Sequence, residues 1–437
     1  MYWAALLLDK PGDAASLHDE LRGLATWALQ FTPRVAIVDE AVCLETAASL
    51  RLFGGKRSLQ ERIRSQGAEL GVAIASWCST SLAAVALARA GIENGFSRPL
   101  EELLDTLPKE TLTATQQHLP TLARLGCKTL GDIRRLPRGG ISRRFDKQLL
   151  TALDQAYGLL PETHRWETVP EAFRGRLELM SRVELAPALM FGARRLLLQM
   201  CGWLAARHAG TNEFTLKWAH DAMRSRSAGD GGELTIRTGE PTRNVEHFTR
   251  LLNEHLAKVE LLAPVGDLEL VAGHVTALEE MSGSLLPDAV RQGNGLREVL
   301  ERIAARLGPE RVLRPVVTED HRPEWMQFWQ PAAHQRPRST SCTAEPQPSW
   351  LLPQPLKLAT RGHRPLYQGV LHLLAGPHRI EGGWWHRVTS TAGAETRHVQ
   401  RDYWVALSEH AGVLWIYQER LPGDDAAPAW YLHGIFA

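Results

Sequence analysis

The chain has 437 residues, of which 44% are hydrophobic and 23% charged, and its formal net charge at pH 7 is +1. This is an ordinary composition for a soluble globular protein, with room for about two to four domains. Because the overall charge is close to zero, any surface that binds nucleic acid must come from local clustering of Lys and Arg.

The cysteines argue against two common kinds of site. Their number is odd and no two form a Cys-x-x-Cys pair: Cys43, Cys78, Cys127, Cys201 and Cys342. This pattern argues against a disulfide framework and a zinc site, so we expect a reducing cytoplasm and no cofactor. The N-terminal apolar run of seven residues has no basic residue before it, which predicts a buried strand rather than a signal peptide or a membrane span.

Residues 1–107 alternate strand-like and helix-like segments, which predicts one sheet with helices. Strands are expected at the apolar runs 2–8, 34–38, 41–45 and 71–76. Helices are expected where the apolar spacing is helical, at 16–31, 58–70 and 79–91.

Residues 108–163 carry the clearest functional pattern, a set of short helices broken at glycines and a proline. Between 128 and 147 there are seven Lys or Arg and two Asp, a local charge of +5. Glycines let backbone N–H groups approach phosphates, and clustered cations bind a DNA backbone without reading its sequence, as in a helix-hairpin-helix module. The predicted contacts are Arg134, Arg135, Arg138, Gly139, Gly140, Arg143, Arg144 and Lys147. The alternative is a small helical bundle with a solvated basic face.

The second half of the chain divides into three parts. After a short linker at 161–173, residues 176–312 again mix helices and half-buried strands, which predicts another α/β domain. The Pro-rich residues 313–360 are expected to form a loose linker. Residues 361–437 are strand-like throughout and predict a β-rich region.

The tail is rich in Trp and His. Eight of the 14 Trp lie after residue 320, and we expect them to form the core of a small β-module, with an aromatic binding face as the alternative. The tail histidines do not stand at paired ligand spacing, which favours surface or core positions over metal binding. They include His363, His372, His378 and His386.

Together these stretches resemble the Y-family (translesion) DNA polymerases and, more closely, the polymerase-like ImuB proteins of bacterial mutagenesis cassettes. The matching stretches run in order from about residue 20 to the C-terminus and include LATWALQFTPRVAI, VCLETAASLRLFGG, HLPTLARLGCKTLGDIRRLPRGGISRRF, QMCGWLAARH, EDHRPE, GPHRIEGGWW, RDYW and WYLHGIFA.

The resemblance implies an α+β multidomain fold of the Y-family polymerase type. It would have a reduced palm (1–107), a helix-hairpin-helix thumb (108–163), a little-finger-like domain (176–312), a linker (313–360) and a C-terminal interaction region (361–437). The fingers would be largely absent, because a single predicted helix separates the first strand from the acidic one.

The resemblance also indicates where catalytic carboxylates would stand. Polymerases of this family place an Asp on the first strand and an Asp-Glu pair on a later strand, with two divalent cations between them. Here Leu7 stands at the first position. On the later strand one register makes Asp39 and Glu40 the pair, and the other, which we prefer because its match is longer, places Glu40 and Ala41 there. The acidic residues expected to be remnants are Asp9, Asp39, Glu40 and Glu45.

By resemblance, the chain would be a catalytically inactive adaptor in DNA-damage tolerance. It would bind damaged or primer-template DNA and link an error-prone DnaE-type polymerase and an ImuA-type (RecA-like) partner to the sliding clamp. No membrane partner is expected. Two other interpretations stay open. One is a minimal polymerase that uses the four carboxylates with Mg²⁺, and the other is a nonspecific DNA-binding module.

A clamp-binding peptide of this context resembles Q-x-L-x-[LF] and fills a pocket with its apolar side chains. Gln354, Leu356 and Leu358 fit that pattern within the predicted linker. The alternative is an ordinary Pro-rich linker.

Overall fold

The computed structural model describes residues 1–9, 14–221, 229–278, 296–332, 347–390, 393–396, 398–420 and 429–436. The chain forms two compact units, residues 1–306 and 307–437. The first mixes helices and sheets, and the second consists mainly of strands, so the protein is α+β with several sheets. Within these ranges no helix is long and apolar enough to cross a membrane. Cys342 lies outside the described residues.

The first unit begins with a four-stranded antiparallel sheet in the order β2-β3-β1-β4. Its strands are β1 (Trp3–Leu8), β2 (Val35–Val38), β3 (Ala41–Glu45) and β4 (Val72–Cys78). Its helices are α1 (Ala14–Ala28), α2 (Lys56–Glu69) and α3 (Ser81–Arg89). Between β1 and β2 the described chain forms a single helix, α1, as the sequence predicts.

Both faces of this sheet are covered, which explains why β1 is apolar at consecutive positions. Leu6 and Val42 point into a core that includes Leu24 and Ile63 of α1 and α2. On the opposite face, alternate residues of the same strands pack against α3 and the helices that follow.

Five short helices follow the sheet: α4 (Leu100–Thr106), α5 (Leu119–Arg124), α6 (Leu130–Arg134), α7 (Arg138–Arg144) and α8 (Lys147–Ala156). Leu122, Ile133 and Leu149 of this group lie in the same core as Trp3 and Cys43 of the sheet. The predicted boundary between 107 and 108 therefore crosses a shared core.

A second sheet, in the order β5-β8-β6-β7 with β9 paired to β6, completes the first unit. Its strands are β5 (Arg174–Val183), β6 (Ala209–His220), β7 (Gly231–Thr242), β8 (Val265–Ala272) and β9 (Val275–Ala277). The helices are α9 (Met190–Ala206), α10 (Val245–Leu256) and α11 (Leu296–Leu307).

The long helix α9 packs on this second sheet and also against α1 of the first. A glycine makes the crossing close, since a Cβ at Gly202 would lie 2.9 Å from the Cα of Trp27. Trp203, the next residue, is buried and its Nε1 donates to the carbonyl oxygen of Pro170 over 2.8 Å. The two sheets of this unit are thereby joined through a helix pair.

The second unit is built on a five-stranded antiparallel sheet in the order β12-β20-β19-β18-β15. The strands of this unit are β10 (Leu313–Val317), β11 (Gln327–Pro331), β12 (Trp350–Lys357), β13 (Ala359–Arg361), β14 (Arg364–Leu366), β15 (His372–Gly382), β16 (Arg387–Ser390), β17 (Gly393–Thr396), β18 (Val399–Ser408), β19 (Gly412–Glu419) and β20 (Trp430–Ile435). Three hairpins, β10-β11, β13-β14 and β16-β17, form separate two-stranded sheets.

The expectation of a loose linker at 313–360 is wrong for the described part of that segment. Residues 313–331 contribute the β10-β11 hairpin, and β12 pairs with β20 at the edge of the main sheet. Pro353 and Pro355 suggested a linker, but proline is tolerated on an edge strand, and here both lie where the register of β12 shifts between Leu351 and Leu356.

Candidate functional site

The four acidic residues singled out from the sequence form no common metal-binding group in the described chain. In the β1-β3 register Leu7 lies opposite Ala41 and Trp3 opposite Glu45. Asp39 and Glu40 form the turn that precedes β3, and Glu45 is the last residue of that strand, so these carboxylates stand at opposite ends of β3. A strand of five residues spans about 13 Å at the usual rise per residue, too far for one metal centre.

The cross-strand pair Leu7 and Ala41 is apolar. Ala41 is fully buried, and Leu7 packs against the core on the same face. In the register that the sequence analysis prefers, this apolar pair occupies two of the positions where the resemblance places carboxylates, and it lies in the core shared with α3.

Asp39 and Glu40 instead share one guanidinium, that of Arg89, the last residue of α3. The Nε of Arg89 donates to Oε1 of Glu40 over 2.7 Å and its Nη2 to Oε2 over 2.8 Å, a bidentate pair. Nη2 also lies 3.0 Å from Oδ2 of Asp39, and Nη1 donates to the carbonyl oxygen of Thr111 over 2.7 Å. The hydrogen bond from Arg89 is the main reason why the pKa of Glu40 lies below its usual value.

The turn between β2 and β3 has a backbone conformation that accompanies the contact between Asp39 and Arg89. Asp39 has a φ of 54°, in the left-handed region that Asp and Asn tolerate better than most residues. The hydroxyl of Thr113 also donates to Oδ2 of Asp39. Across the ranges that the structure describes, no group of three or more His, Cys, Asp or Glu side chains is placed to hold a metal ion.

The other two carboxylates have separate environments. Glu45 is buried; one of its oxygens accepts from the backbone N–H of Ala47 over 3.1 Å, and the other lies 3.4 Å from Nη1 of Arg34. Asp9 is exposed, and its backbone N–H donates to the carbonyl oxygen of Gly71 over 2.8 Å. Sequence reasoning missed Arg89, Thr111 and Thr113, because nothing local to those residues shows that they meet the β2-β3 turn.

The predicted DNA-binding residues separate into two groups. In the first, each arginine is held by carboxylates of the same helical region. Arg134 binds both oxygens of Asp105 at 3.0 and 2.8 Å, Arg135 lies 3.4 Å from Asp132, and Arg138 donates to Asp154 over 3.0 Å. Each of these three arginines is thus already paired with a carboxylate.

The second group consists of Arg143, Arg144 and Lys147, all of which are exposed. They lie at the end of α7 and the start of α8, and no carboxylate of the described chain lies within ion-pair distance of them. Asp146, which lies between them in sequence, is used to cap α8, where its Oδ1 accepts from the backbone N–H of Leu149 over 2.8 Å. The local positive charge therefore concentrates at the α7-α8 junction.

Gly139 and Gly140 differ from expectation in their local structure. They lie within the first turn of α7 rather than in a loop, and the N–H of Gly140 already donates to the carbonyl oxygen of Pro137 over 2.8 Å. A Cβ at Gly139 would meet nothing within 4 Å, so this surface is open.

The segment at 161–173, expected to be a linker, is fixed to the first sheet. The carboxylate of Glu162 accepts from the backbone N–H groups of Ser81 and Leu82, both over 2.8 Å, at the N-terminus of α3. The ring of His164 lies 4.8 Å from that of Trp3. Burial alone would raise the pKa of Glu162, but hydrogen bonds from His164 and from the start of α3 lower it overall.

In the second unit, the sequence motifs EDHRPE and GPHRIEGGWW both form ion pairs with strand β18, which contains the RDYW motif. Arg401 pairs with Glu324 of the EDHRPE stretch. Asp402, next in sequence, accepts from Nε of Arg379 of the GPHR stretch over 3.0 Å and also pairs with Arg420. Segments far apart in sequence are thereby joined by ion pairs on one strand.

Tyr403, the third residue of this run, connects β18 to the C-terminal strand. Its hydroxyl lies 2.7 Å from Nδ1 of His433, accepts from Nη1 of Arg401 at 3.2 Å, and its ring stacks on Trp415 with centroids 4.0 Å apart. Tyr403 and His433 are almost fully buried. Of the tail histidines, His363, His372 and His378 are exposed, and His386 is half-buried.

The three residues of the clamp-binding pattern lie at the end of β12 and just beyond it. Gln354 and Leu356 are exposed, and Leu358 is only 6% exposed, in a core with Leu371 and Leu414. Leu358 would have to leave this core to enter a pocket on another protein.

Comparison with known proteins gives one clear relationship. Two curated relatives, both named Protein ImuB and both from strains of Caulobacter vibrioides, are 28% identical over 454 aligned residues, covering 97% of this chain and 94% of the relative. No protein-family model matches the chain.

Solved structures similar to this chain are Y-family DNA polymerases. One is a DinB family error-prone DNA polymerase from Sulfolobus solfataricus, with a TM-score of 0.31 and 11% identity over 59% of this chain and 79% of that chain. Another is the insertion ternary complex of Dbh DNA polymerase, with a TM-score of 0.29 and 12% identity over 59% and 76% of the two chains.

Proposed function

The chain is a homologue of the ImuB proteins, and from this premise we propose that it is a DNA-binding adaptor of damage-induced mutagenesis without polymerase activity of its own. Its partners would be damaged or primer-template DNA, the sliding clamp, an error-prone DnaE-type polymerase and an ImuA-type, RecA-like protein. In this role the chain contributes binding surfaces, and the DnaE-type partner performs nucleotide transfer.

The observation that carries the inactive assignment is the Arg89 guanidinium shared by Asp39 and Glu40. Two-metal phosphoryl transfer needs carboxylates that converge on divalent cations. Here the adjacent pair is already bound by the guanidinium of Arg89, which also donates to the carbonyl oxygen of Thr111. Glu45 lies at the far end of β3, and Asp9, which follows β1 at the same end as the pair, forms no metal-binding group with it among the described residues.

The DNA contact would run through the exposed cations of the α7-α8 junction. Arg143, Arg144 and Lys147 are available to bind phosphates, whereas Arg134, Arg135 and Arg138 would first have to leave their carboxylates. Binding would therefore be electrostatic, tolerant of sequence and weakened by salt.

Primer extension tests the inactive assignment. Purified full-length protein should bind a primer-template and leave the primer unextended with Mg²⁺ or Mn²⁺ and all four nucleotides. Extension that disappears when Asp39→Ala and Glu40→Ala are combined would show that these carboxylates hold catalytic metal, and the adaptor proposal would then fail.

Salt titration of DNA binding tests the interface. Replacing Arg143, Arg144 and Lys147 together with Gln should weaken binding and reduce the slope of log K against log salt by about 2 to 3, at roughly 0.9 per phosphate contact. A matched control removes three exposed arginines elsewhere in the first unit: Arg51, Arg57 and Arg98. If both triple variants lose affinity equally, the effect belongs to net charge and the α7-α8 junction is not the interface.

The clamp contact stays a prediction. Leu356→Ala, at an exposed position, should weaken clamp binding if the segment at 354–358 is the clamp peptide. A clamp affinity unchanged by Leu356→Ala would point to another segment.

A further inference from the structure

The second unit contains a pocket that the sequence motifs do not predict. A cavity of about 500 Å³ opens between the β10-β11 hairpin and the turn after β15. Its walls include the aromatic side chains of Trp325, Phe328 and Trp385, which remain 39%, 48% and 60% exposed. Exposed aromatic groups clustered around a cavity mark binding sites more often than ordinary surface.

The charged groups of this pocket neutralise each other. Arg322, whose side chain is only 3% exposed, donates from Nε to Asp320 over 3.0 Å and from Nη2 to the same carboxylate over 2.7 Å. Its Nη2 also lies 3.1 Å from Nδ1 of His386. Because a buried guanidinium is costly unless it is hydrogen-bonded, these contacts to Asp320 and His386 stabilise Arg322 in its position.

The same guanidinium fixes the aromatic walls. Its Cζ lies 5.6 Å from the ring centroid of Trp325 and 5.9 Å from that of Trp385. The ring of Trp325 packs edge-on against His386 with centroids 4.5 Å apart, and Trp384 packs edge-on against Trp385 at 4.3 Å. The exposed indoles are therefore held in place before any ligand arrives, which lowers the entropy cost of binding.

Charge decides between the two kinds of macromolecule that bind exposed aromatic side chains. Single-stranded DNA needs aromatic platforms next to uncompensated cations that follow its backbone. The described residues that line the pocket include one Lys or Arg, Arg322, and it is already paired with the carboxylate of Asp320. A neutral pocket rimmed by Trp with a buried Arg instead has the composition of a protein-binding hot spot.

We propose that this pocket is a docking site for a partner protein, which inserts one uncharged apolar side chain, aromatic or long aliphatic, between Trp325, Phe328 and Trp385. This inference rests on the adaptor function proposed above and assigns one of its protein contacts to a specific surface. The Asp320–Arg322 pair excludes a charged anchor, because a charge would be desolvated there without a free partner.

The experiment uses the full-length chain and four probes: the DnaE-type polymerase, the ImuA-type protein and the sliding clamp of the same bacterium, and a 20-nucleotide oligo-dT. Trp385→Ala and Phe328→Ala are compared with wild type by titration calorimetry. Trp350→Ala is the matched control, because Trp350 is a 71% exposed Trp on β12, outside the pocket.

The expected result is that one protein partner binds both pocket variants at least tenfold more weakly, while Trp350→Ala and oligo-dT binding stay as in wild type. If both pocket variants bind all partners as tightly as wild type does, this inference is wrong, but the proposed adaptor function is not contradicted. A loss confined to oligo-dT binding would overturn it in favour of a DNA site. If wild type bound none of the three proteins, the adaptor function would fail, and this inference with it.

Discussion

Arg89 binds two carboxylates and a backbone carbonyl oxygen, so its removal should affect stability more than the loss of an ordinary surface charge. Arg89→Met keeps most of the side-chain volume but leaves Asp39 and Glu40 adjacent without a cation. Hydrogen bonds to charged groups contribute about 1.5–3 kcal/mol each in net terms, and because Asp39 and Glu40 are partly exposed we expect a total loss of about 2 kcal/mol in the free energy of unfolding. Denaturant unfolding followed by circular dichroism measures it.

Arg57→Met is the control for this change, because Arg57 is an exposed arginine near the start of α2. It should change the free energy of unfolding by less than about 0.5 kcal/mol. Equal effects of the two substitutions would mean that the Arg89 contacts contribute no more than a solvated charge.

The sequence predicted part of this site. Leu7 and, in the preferred register, Ala41 stand where the resemblance to Y-family polymerases places carboxylates, and the structure pairs these two apolar residues across β1 and β3. The sequence could not predict the role of Arg89, which is 50 residues away from Asp39 and meets it only because α3 returns along the sheet to the β2-β3 turn. The pairing of Arg134 and Arg138 with acids was equally hidden, since it depends on how α4 and α8 pack.

Among the elements, the α1-α9 crossing depends on a glycine in a helix. Gly202→Ala would place a Cβ 2.9 Å from the Cα of Trp27, a backbone atom that cannot move without shifting α1. Overpacking of this kind usually costs about 1–3 kcal/mol, more than the 0.5–1 kcal/mol that alanine gains over glycine in a helix. Thermal unfolding should therefore show a lower Tm.

Gly139→Ala is the control for Gly202→Ala, because it should not lower the stability. Gly139 also lies in a helix, but a Cβ there would meet nothing within 4 Å, so the change should be neutral or slightly stabilising. Destabilisation of similar size in both variants would mean that the close approach at Gly202 does not limit the crossing.

The prediction of secondary structure is wrong for residues 350–357, because it relied on proline content and could not take the partner strand into account. Segment 350–357 contains two prolines and was expected to be unstructured, yet it forms the edge strand β12 because β20 offers a partner on one side. An edge strand needs hydrogen bonds on only one side, so prolines at a register shift do not disrupt the sheet. By contrast, the spacing of apolar residues predicted α1, α2 and the strands of the first sheet. When one or both faces of an element are buried, apolar residues recur along its sequence with the period of that element.

For the molecule as a whole, the two units differ in the chemistry they expose. In the first, unpaired cations collect at the α7-α8 junction. In the second, exposed indoles surround a cavity whose cation, Arg322, is paired with Asp320. This division fits an adaptor that uses one unit for DNA and the other for a protein partner. Each unit also has its own hydrophobic core, so we expect each to respond separately to solution conditions.

Acid should destabilise the second unit through His433. The pKa of His433 is lowered to about 4, mainly by burial; Glu324 opposes the shift and Arg401 contributes to it. An unfolded histidine titrates near 6.5, so between about pH 6.5 and 4 the unfolded chain binds a proton that the folded unit does not. Stability of the second unit should therefore fall as pH drops through this range, by up to about 1.4 kcal/mol per pH unit from this residue.

Calorimetry of the full-length chain at a series of pH values measures the effect as a transition whose Tm falls below pH 6.5. His433→Asn keeps an acceptor for the hydroxyl of Tyr403 but cannot titrate, so its transition should lose most of this pH dependence, whatever its Tm at pH 7. His378→Gln is the control, because His378 is exposed and its removal should leave the dependence intact. A pH dependence that survives His433→Asn unchanged would assign the acid sensitivity to other groups, the ion pairs of Asp402 and Glu324 first among them.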